Sequence, residues 1–331
     1  GKKELEIVIP FQRMVYTTPE NQGTEGVYML VAATSNVKDI TTVIMPGESV
    51  TFGASIQGYK SSEEEVCPDI ASELSSREAF VHEMWNSLQF DSPDKLINTQ
   101  FAFAKIRAAE SIFRTKGGLM HSPGGEAYYA AIWANDQAEY INPFFPFLGY
   151  DKGNESAVNS FRHFARYMND EYKAIPSSII AEGDDSYGVA GDRGDCAMIA
   201  YGAARYSLAS GDRHVIEELF PLIEWCLEYS RRKITADGVV ASDSDELENR
   251  FPSGDANLCS STLHYDALLS GVYLAEELGK MDLAVKYRKE ASALRKAIEC
   301  YFGANVEGFD TYRYYDGNDL LRSWICMPLI A

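Results

Sequence analysis

A chain of 331 residues, 46% hydrophobic and 12% aromatic, has enough apolar material for one large core or two ordinary ones, which excludes a disordered chain. Its formal charge of −19 argues against nucleic acid and anionic membranes as partners, since both reward basic patches. No apolar run approaches the ~20 residues of a membrane span, and no segment reads as a signal peptide. The compartment stays open.

Residues 1–60 read as β structure. The runs ELEIVIP, GVYMLVAAT and VTFGASI are rich in strand-forming residues and are broken by Pro, Gly and Asn. They are too few for an independent sandwich, and they predict the end of a larger β domain or a small sheet.

From residue 61 to 331 the pattern turns helical. Leu283, Tyr287, Ala291, Leu294 and Ile298 fall on one helix face, as do Val215, Leu219, Leu222, Cys226 and Tyr229. Pro221 predicts a kink in the second of these. Residues 195–209 are small and apolar, which predicts a helix packed on several sides. Gly149, Gly211 and Gly279 are placed to end helices.

The connections alternate. Short ones fall near residues 90, 149, 211 and 279, about every 60 residues. Long ones fall near 117–132, 174–193, 235–256 and 303–318. This spacing predicts helical hairpins closed into a mainly α, (α/α) toroid, with all the long loops on one face. The chain stops inside the apolar segment SWICMPLIA, which predicts further hairpins beyond it.

Chemistry-bearing residues cluster in the long loops. The first loop, 117–139, runs from Pro123, Gly124 and Gly125 through Tyr128 and Tyr129 to Trp133, Asn135, Asp136 and Glu139. An aromatic face beside carboxylates suits a sugar ring, with Trp133 stacking and Asp136 accepting from hydroxyls. Phe144, Phe145 and Phe147 are expected in the core.

The loop 182–195 holds Glu182, Asp184, Asp185, Asp192, Arg193 and Asp195. An Asp–Arg–Asp cluster can clamp vicinal hydroxyls; alternatively Asp195 caps the next helix. The loop 241–257 supplies Asp243, Asp245, Glu246, Glu248 and Asp255, with Arg250 to orient a carboxylate or bind substrate. Glycoside hydrolysis needs one protonated carboxyl and one carboxylate, so this loop is the strongest catalytic candidate. The loop 303–318, with Tyr312 to Asp316, is expected to wall the cleft. The six cysteines (Cys67, Cys196, Cys226, Cys259, Cys300 and Cys326) contain no C-x-x-C pair. They read mostly as small buried residues. The five histidines show no metal-ligand spacing, and neither metal nor organic cofactor is expected.

Two loops resemble a known family. The order Pro-Gly-Gly, Tyr-Tyr, Trp133 and Asp136 resembles the trehalase signature, with looser spacing. Glu246-Leu-Glu-Asn-Arg250-Phe251 resembles the D-x-S-P-R-F type segment of processing α-glucosidases. The resemblance covers roughly residues 60–331. It implies a six-hairpin (α/α)6-toroid glycosidase of the trehalase, glucosidase I and glucoamylase type, inverting and cofactor-free. The acidic residue four before the arginine is the general acid in those enzymes, which maps onto Glu246. The departures from the pattern leave Glu248 as an alternative acid, and Asp245 as a third.

The expected activity is hydrolysis of an α-glycosidic bond, α-glucosidic by resemblance, in an oligosaccharide or polysaccharide. Trp133, Asp136, Glu139, Arg193, Asp195, Arg250 and Asp255 are the expected substrate-binding residues. No segment before Ala331 matches the general base of the family. Rival classes are a non-catalytic carbohydrate-binding protein on the same toroid, and a polysaccharide lyase or terpenoid-cyclase-like enzyme using Asp184 and Asp185 or tyrosines.

Overall fold

A computed structural model describes residues 5–8, 13–17, 28–35, 41–49, 51, 53–60, 62–66, 68–122, 131–180, 191–323 and 325–330. The chain divides into two compact units, residues 1–83 and 84–331.

The first unit carries five strands: β1 (Leu5–Val8), β2 (Arg13–Thr17), β3 (Tyr28–Ser35), β4 (Thr41–Ile44) and β5 (Gly53–Lys60). β1 pairs antiparallel with β4, and β2, β3 and β5 form a three-stranded antiparallel sheet. Along most of β5, half-buried and exposed residues alternate, which marks a sheet with one covered face. The predicted runs contain β1, all but the last residue of β3, and the first half of β5. The short strands β2 and β4 escape them, because four or five residues give little periodicity. Helix α1 (Ile70–Asn86) begins in this unit, and Ile70 leaves no room for a side chain at Gly53.

The second unit is helical. α2 (Lys95–Glu110) is capped by Asp94, whose side chain accepts from Leu96 N at 2.9 Å. Lys105 is buried and donates to the carbonyl oxygens of Trp85 and Ser87, closing the last turn of α1. A hairpin of β6 (Ile112–Thr115) and β7 (Gly118–His121) follows. Then come β8 (Ala131–Trp133), a π-helix (Asn135–Ile141), a 3-10 turn (Asn142–Phe144), and the short α3 (Phe145–Leu148). Gly149 ends α3 in the left-handed conformation, φ 67°.

The remaining helices are α4 (Asp151–Ala165), α5 (Asp195–Ser210), α6 (Arg213–Arg232), α7 (Leu258–Glu277) and α8 (Met281–Phe302). β9 (Ser178–Ile180) pairs with β8, and β10 (Gly303–Val306) pairs with β11 (Phe309–Tyr312). The predicted short connections fall where expected: residues 149–150, 211–212 and 278–280 join π-helix and α3 to α4, α5 to α6, and α7 to α8.

Two helix types result. α5 and α7 are buried on nearly every side, while α4, α6 and α8 each keep one buried and one solvated face. α5 packs against the π-helix on one flank and α7 on another, so these three form an inner layer. Small residues permit the approach. A Cβ on Gly202 of α5 would lie 1.8 Å from the carbonyl oxygen of Ala138 in the π-helix.

Some expectations fail. Phe145 is fully buried, but Phe147 is 63% exposed and is not core. Cys196, Cys226 and Cys259 are buried; Cys300 and Cys326 are exposed. Gly194, not Asp195, occupies the N-cap of α5, so Asp195 lies in its first turn. Within the connection 303–318, residues 303–312 form a β-hairpin. Cys67, Pro123 to Tyr129, Glu182, Asp184 and Asp185 lie outside the described residues.

Candidate carboxylate site

Three segments converge on one buried cluster: the π-helix, the turn before α5, and the loop before α7. Asn135, Asp136, Glu139 and Tyr140 stand at i, i+1, i+4 and i+5 of the π-helix, a spacing that puts them on one side of it.

The loops before α5 and α7 are fastened to each other through backbone. Asp243 N and Ser244 N both donate to the carbonyl oxygen of Asp192, at 2.8 and 3.1 Å, and Asp192 N donates to Asp243 Oδ2 at 2.9 Å. Asp192 is itself fixed, accepting from the Tyr229 hydroxyl at 2.6 Å and from Gly194 N at 2.9 Å. Its burial raises the pKa of its carboxyl. Asn257 caps α7, accepting from Ser260 N at 2.8 Å, and donates to Ser242 Oγ at 2.8 Å. Asp245 is buried and accepts from Arg322 at 2.9 Å and from Leu247 N at 2.9 Å. The loop is therefore pinned on both sides of Glu246.

Glu246 is 9% exposed and accepts from the Tyr140 hydroxyl, 3.1 Å from each carboxylate oxygen. Burial pushes its pKa up to about 7, against the opposing pull of hydrogen bonds from Tyr140 and Asn135 and the charge of Arg193. Glu139 is 5% exposed, and a hydrogen bond from Tyr140 pulls its carboxyl toward the charged form. Burial, then the charge of Glu246, pushes it up as well. One oxygen of Glu139, one of Glu246 and the sulfur of Cys259 all lie within 4.8 Å of one another. These three are the described residues whose spacing could admit a cation. The nearby Arg193 guanidinium and a thiol held protonated by burial favour a proton there instead.

Arg193 is the electrostatic centre of the cluster. Its side chain is 1% exposed and donates to Asp195 at 2.9 Å, Glu248 at 3.1 Å and Asn135 at 3.3 Å. Asp195 also accepts from Ser177 Oγ at 2.8 Å. Asp136 is half-buried; burial raises its pKa, Arg193 opposes the rise and Glu248 adds to it. Glu248 is 39% exposed and adopts a left-handed backbone, φ 55°, as does Asn249, φ 63°. Two consecutive non-glycine residues in that region store strain at this turn.

The structure brings Glu246, Glu248, Asp136, Glu139, Arg193 and Asp195 together. Trp133 stands half-buried at the end of β8, directly before the π-helix. Tyr140, 49% exposed, and Glu248 give the cluster its solvent-facing side. Two expected residues stand apart. Arg250 is 72% exposed and, among the described residues, pairs with Glu248 alone, at 3.8 Å. Asp255 is exposed, and its charge is felt by Tyr301, away from the carboxylates. Tyr140, Arg322 and Tyr229 were not legible as site residues, because nothing in their sequence neighbourhood shows that distant segments will meet them.

No family model and no curated protein matches the chain. Solved structures do. A bacterial glucoamylase complexed with acarbose is similar over 92% of this chain and 51% of its own, with a TM-score of 0.51 and 11% identity. An unsaturated glucuronyl hydrolase from Streptococcus agalactiae is similar over 70% of this chain and 63% of its own, with a TM-score of 0.51 and 14% identity. A family 105 glycoside hydrolase from C. acetobutylicum gives 66% and 63%, with a TM-score of 0.47 and 14% identity. The chain spans only about half to two thirds of these structures. At such identities the likeness concerns fold alone: the chain has the mainly α, helical-hairpin toroid fold of the six-hairpin glycosidases.

Proposed function

We propose that the protein hydrolyses an α-glycosidic bond in an oligosaccharide, with Glu246 as general acid. The observation that carries this reading is a buried carboxyl, held in place by Tyr140, whose burial lifts its pKa to about 7, so that a sizeable fraction is protonated near neutrality. A group that keeps a proton at neutral pH can deliver it to a leaving glycosidic oxygen.

Glu248 suits that role less well. It is partly solvated and ion-paired to Arg193 and Arg250, the setting of a charge-pairing group. Its contact with Arg193 places it beside Asp136, where both can accept from sugar hydroxyls. Trp133 offers the stacking face. Glu139 is too close to Glu246 to act as the base of an inverting mechanism, which needs carboxyls roughly 6.5–9.5 Å apart to admit a water. The helical unit is the catalytic part in this reading. α-Glucosidic preference and inversion enter through the resemblance of residues 246–251 to the processing α-glucosidases. The bacterial glucoamylase that shares the fold was solved with acarbose, which is in keeping with an oligosaccharide ligand.

The test is turnover of α-linked disaccharides, with the product anomer followed by NMR, for the protein and its Glu246→Gln variant. The variant should lose at least about 10²-fold in kcat. A loss under about tenfold removes Glu246 from the acid role. Release of the substrate's own anomer contradicts inversion.

A further inference from the structure

We infer that Arg322 is a positioning residue that staples the loop 245–252 shut and so sets where Glu246 points. This rests on Glu246 being the general acid. The guanidinium donates to Asp245 Oδ2 at 2.9 Å and to the carbonyl oxygen of Pro252. These two acceptors bracket the loop, with Glu246 and the left-handed turn at Glu248 and Asn249 between them. Arg322 also lies over the ring of buried Tyr314, 4.1 Å from its centroid, and 5.7 Å from the centroid of Phe251. An arginine makes such contacts together because its donors form a flat, rigid fork.

The segment that carries Arg322 is itself anchored. Leu258 N donates to the carbonyl oxygen of Tyr314 at 2.9 Å, and Tyr314 N donates to Asn318 Oδ1 at 2.9 Å. Tyr315 leaves no room for a side chain at Gly254. The staple therefore ties the loop to the start of α7, the helix that follows it. Arg322 balances charge as well. Asp245 is buried, and among the described residues Arg322 is the cation paired with it. The groups that face Glu246 are Tyr140, Asn135 and Glu139 from the π-helix, Arg193 from the turn before α5, Cys259 from α7, and Asp245 from its own loop. An unpaired Asp245 carboxylate would repel a charged Glu246 and favour its protonated form. Placement and charge balance can be separated, because placement needs the fork and balance needs only a cation.

The test compares kcat, KM and the Glu246 titration, read by ¹³C NMR of labelled glutamate carboxyls, in three variants. Arg322→Met should lose at least about tenfold in kcat with KM within about threefold, since a misplaced acid slows the chemistry and leaves binding alone. Its Glu246 titration should rise by about half a unit. Adding Asp245→Asn to Arg322→Met should bring the titration back and leave kcat low. Arg322→Lys keeps a charge beside Asp245 but cannot also hold Pro252 and Tyr314. Its titration should stay in place while kcat falls at least about fivefold.

A kcat within about twofold of the unaltered protein in Arg322→Lys overturns the inference, and this variant decides the matter should Arg322→Met not fold. A loss carried by KM also overturns it, because Arg322 would then bind substrate. So does recovery of kcat in the double variant, which would make charge the whole effect. A Glu246→Gln variant that keeps its activity overturns the catalytic reading instead. The Glu246 titration in Arg322→Met still reads the staple in that case, and an unmoved titration would overturn that too.

Discussion

The Tyr140 hydroxyl stands 3.1 Å from both oxygens of Glu246, although the two residues are 106 positions apart. It bridges the π-helix and the loop before α7. A hydroxyl donating to a carboxylate favours the charged form, so it opposes the burial that raises Glu246. Tyr140→Phe should therefore raise the pKa of Glu246 by about one unit, since a hydrogen bond to a charged group contributes roughly 1.5–3 kcal/mol. The high-pH limb of kcat/KM should move upward. A downward shift would show that Tyr140 stabilises the protonated carboxyl.

Arg193 is buried with Asp195 in a paired, hydrogen-bonded contact. Removing one partner of such a pair leaves an uncompensated buried charge. Arg193→Met should cost about 3–5 kcal/mol in urea unfolding. Arg193→Lys should recover little, because an ammonium cannot reach Asp195, Glu248 and Asn135 together. Full recovery by lysine would mean that charge alone matters.

Gly202 tests the inner layer. A Cβ there meets the Ala138 carbonyl at 1.8 Å, so Gly202→Ala must push α5 and the π-helix apart. Overpacking of this kind costs roughly 1–3 kcal/mol and should reduce turnover as well. Gly211, at φ 61° with open space around it, isolates the backbone effect alone. Gly211→Ala should cost about 1–2 kcal/mol in stability and leave kcat unchanged.

Stability should vary with pH through Glu139. Its ordinary value is 4.5 and its folded value is about 8. Between those values the folded state binds more protons than the unfolded state, so unfolding free energy falls as pH rises. The contribution is fully present below about 4.5 and lost through about 8. Urea unfolding from pH 5 to 8 should show this decline, and Glu139→Gln should flatten it. Equal slopes in both proteins would remove Glu139 as its source.

The sequence carried the helical hairpins well. Gly149, Gly211 and Gly279 all take positive φ at helix ends, and the buried faces of α6 and α8 follow the predicted spacing. These features depend on local backbone sterics and on apolar periodicity, both of which are written along the chain. The carboxylate-rich loop was legible by composition. Which of its acids lies buried was not: Glu246 and Glu248 look alike in sequence, two residues apart.

What the sequence by itself determined is the alternation of short turns and long loops, and with it the segments that hold polar groups. Tertiary structure decided which groups meet. Burial separates Glu246 from Glu248, the π-helix aims Glu139 and Tyr140 at the same spot, and Arg193 donates hydrogen bonds to three segments. Burial and charge pairing depend on neighbours more than 50 residues away, and no local pattern encodes them.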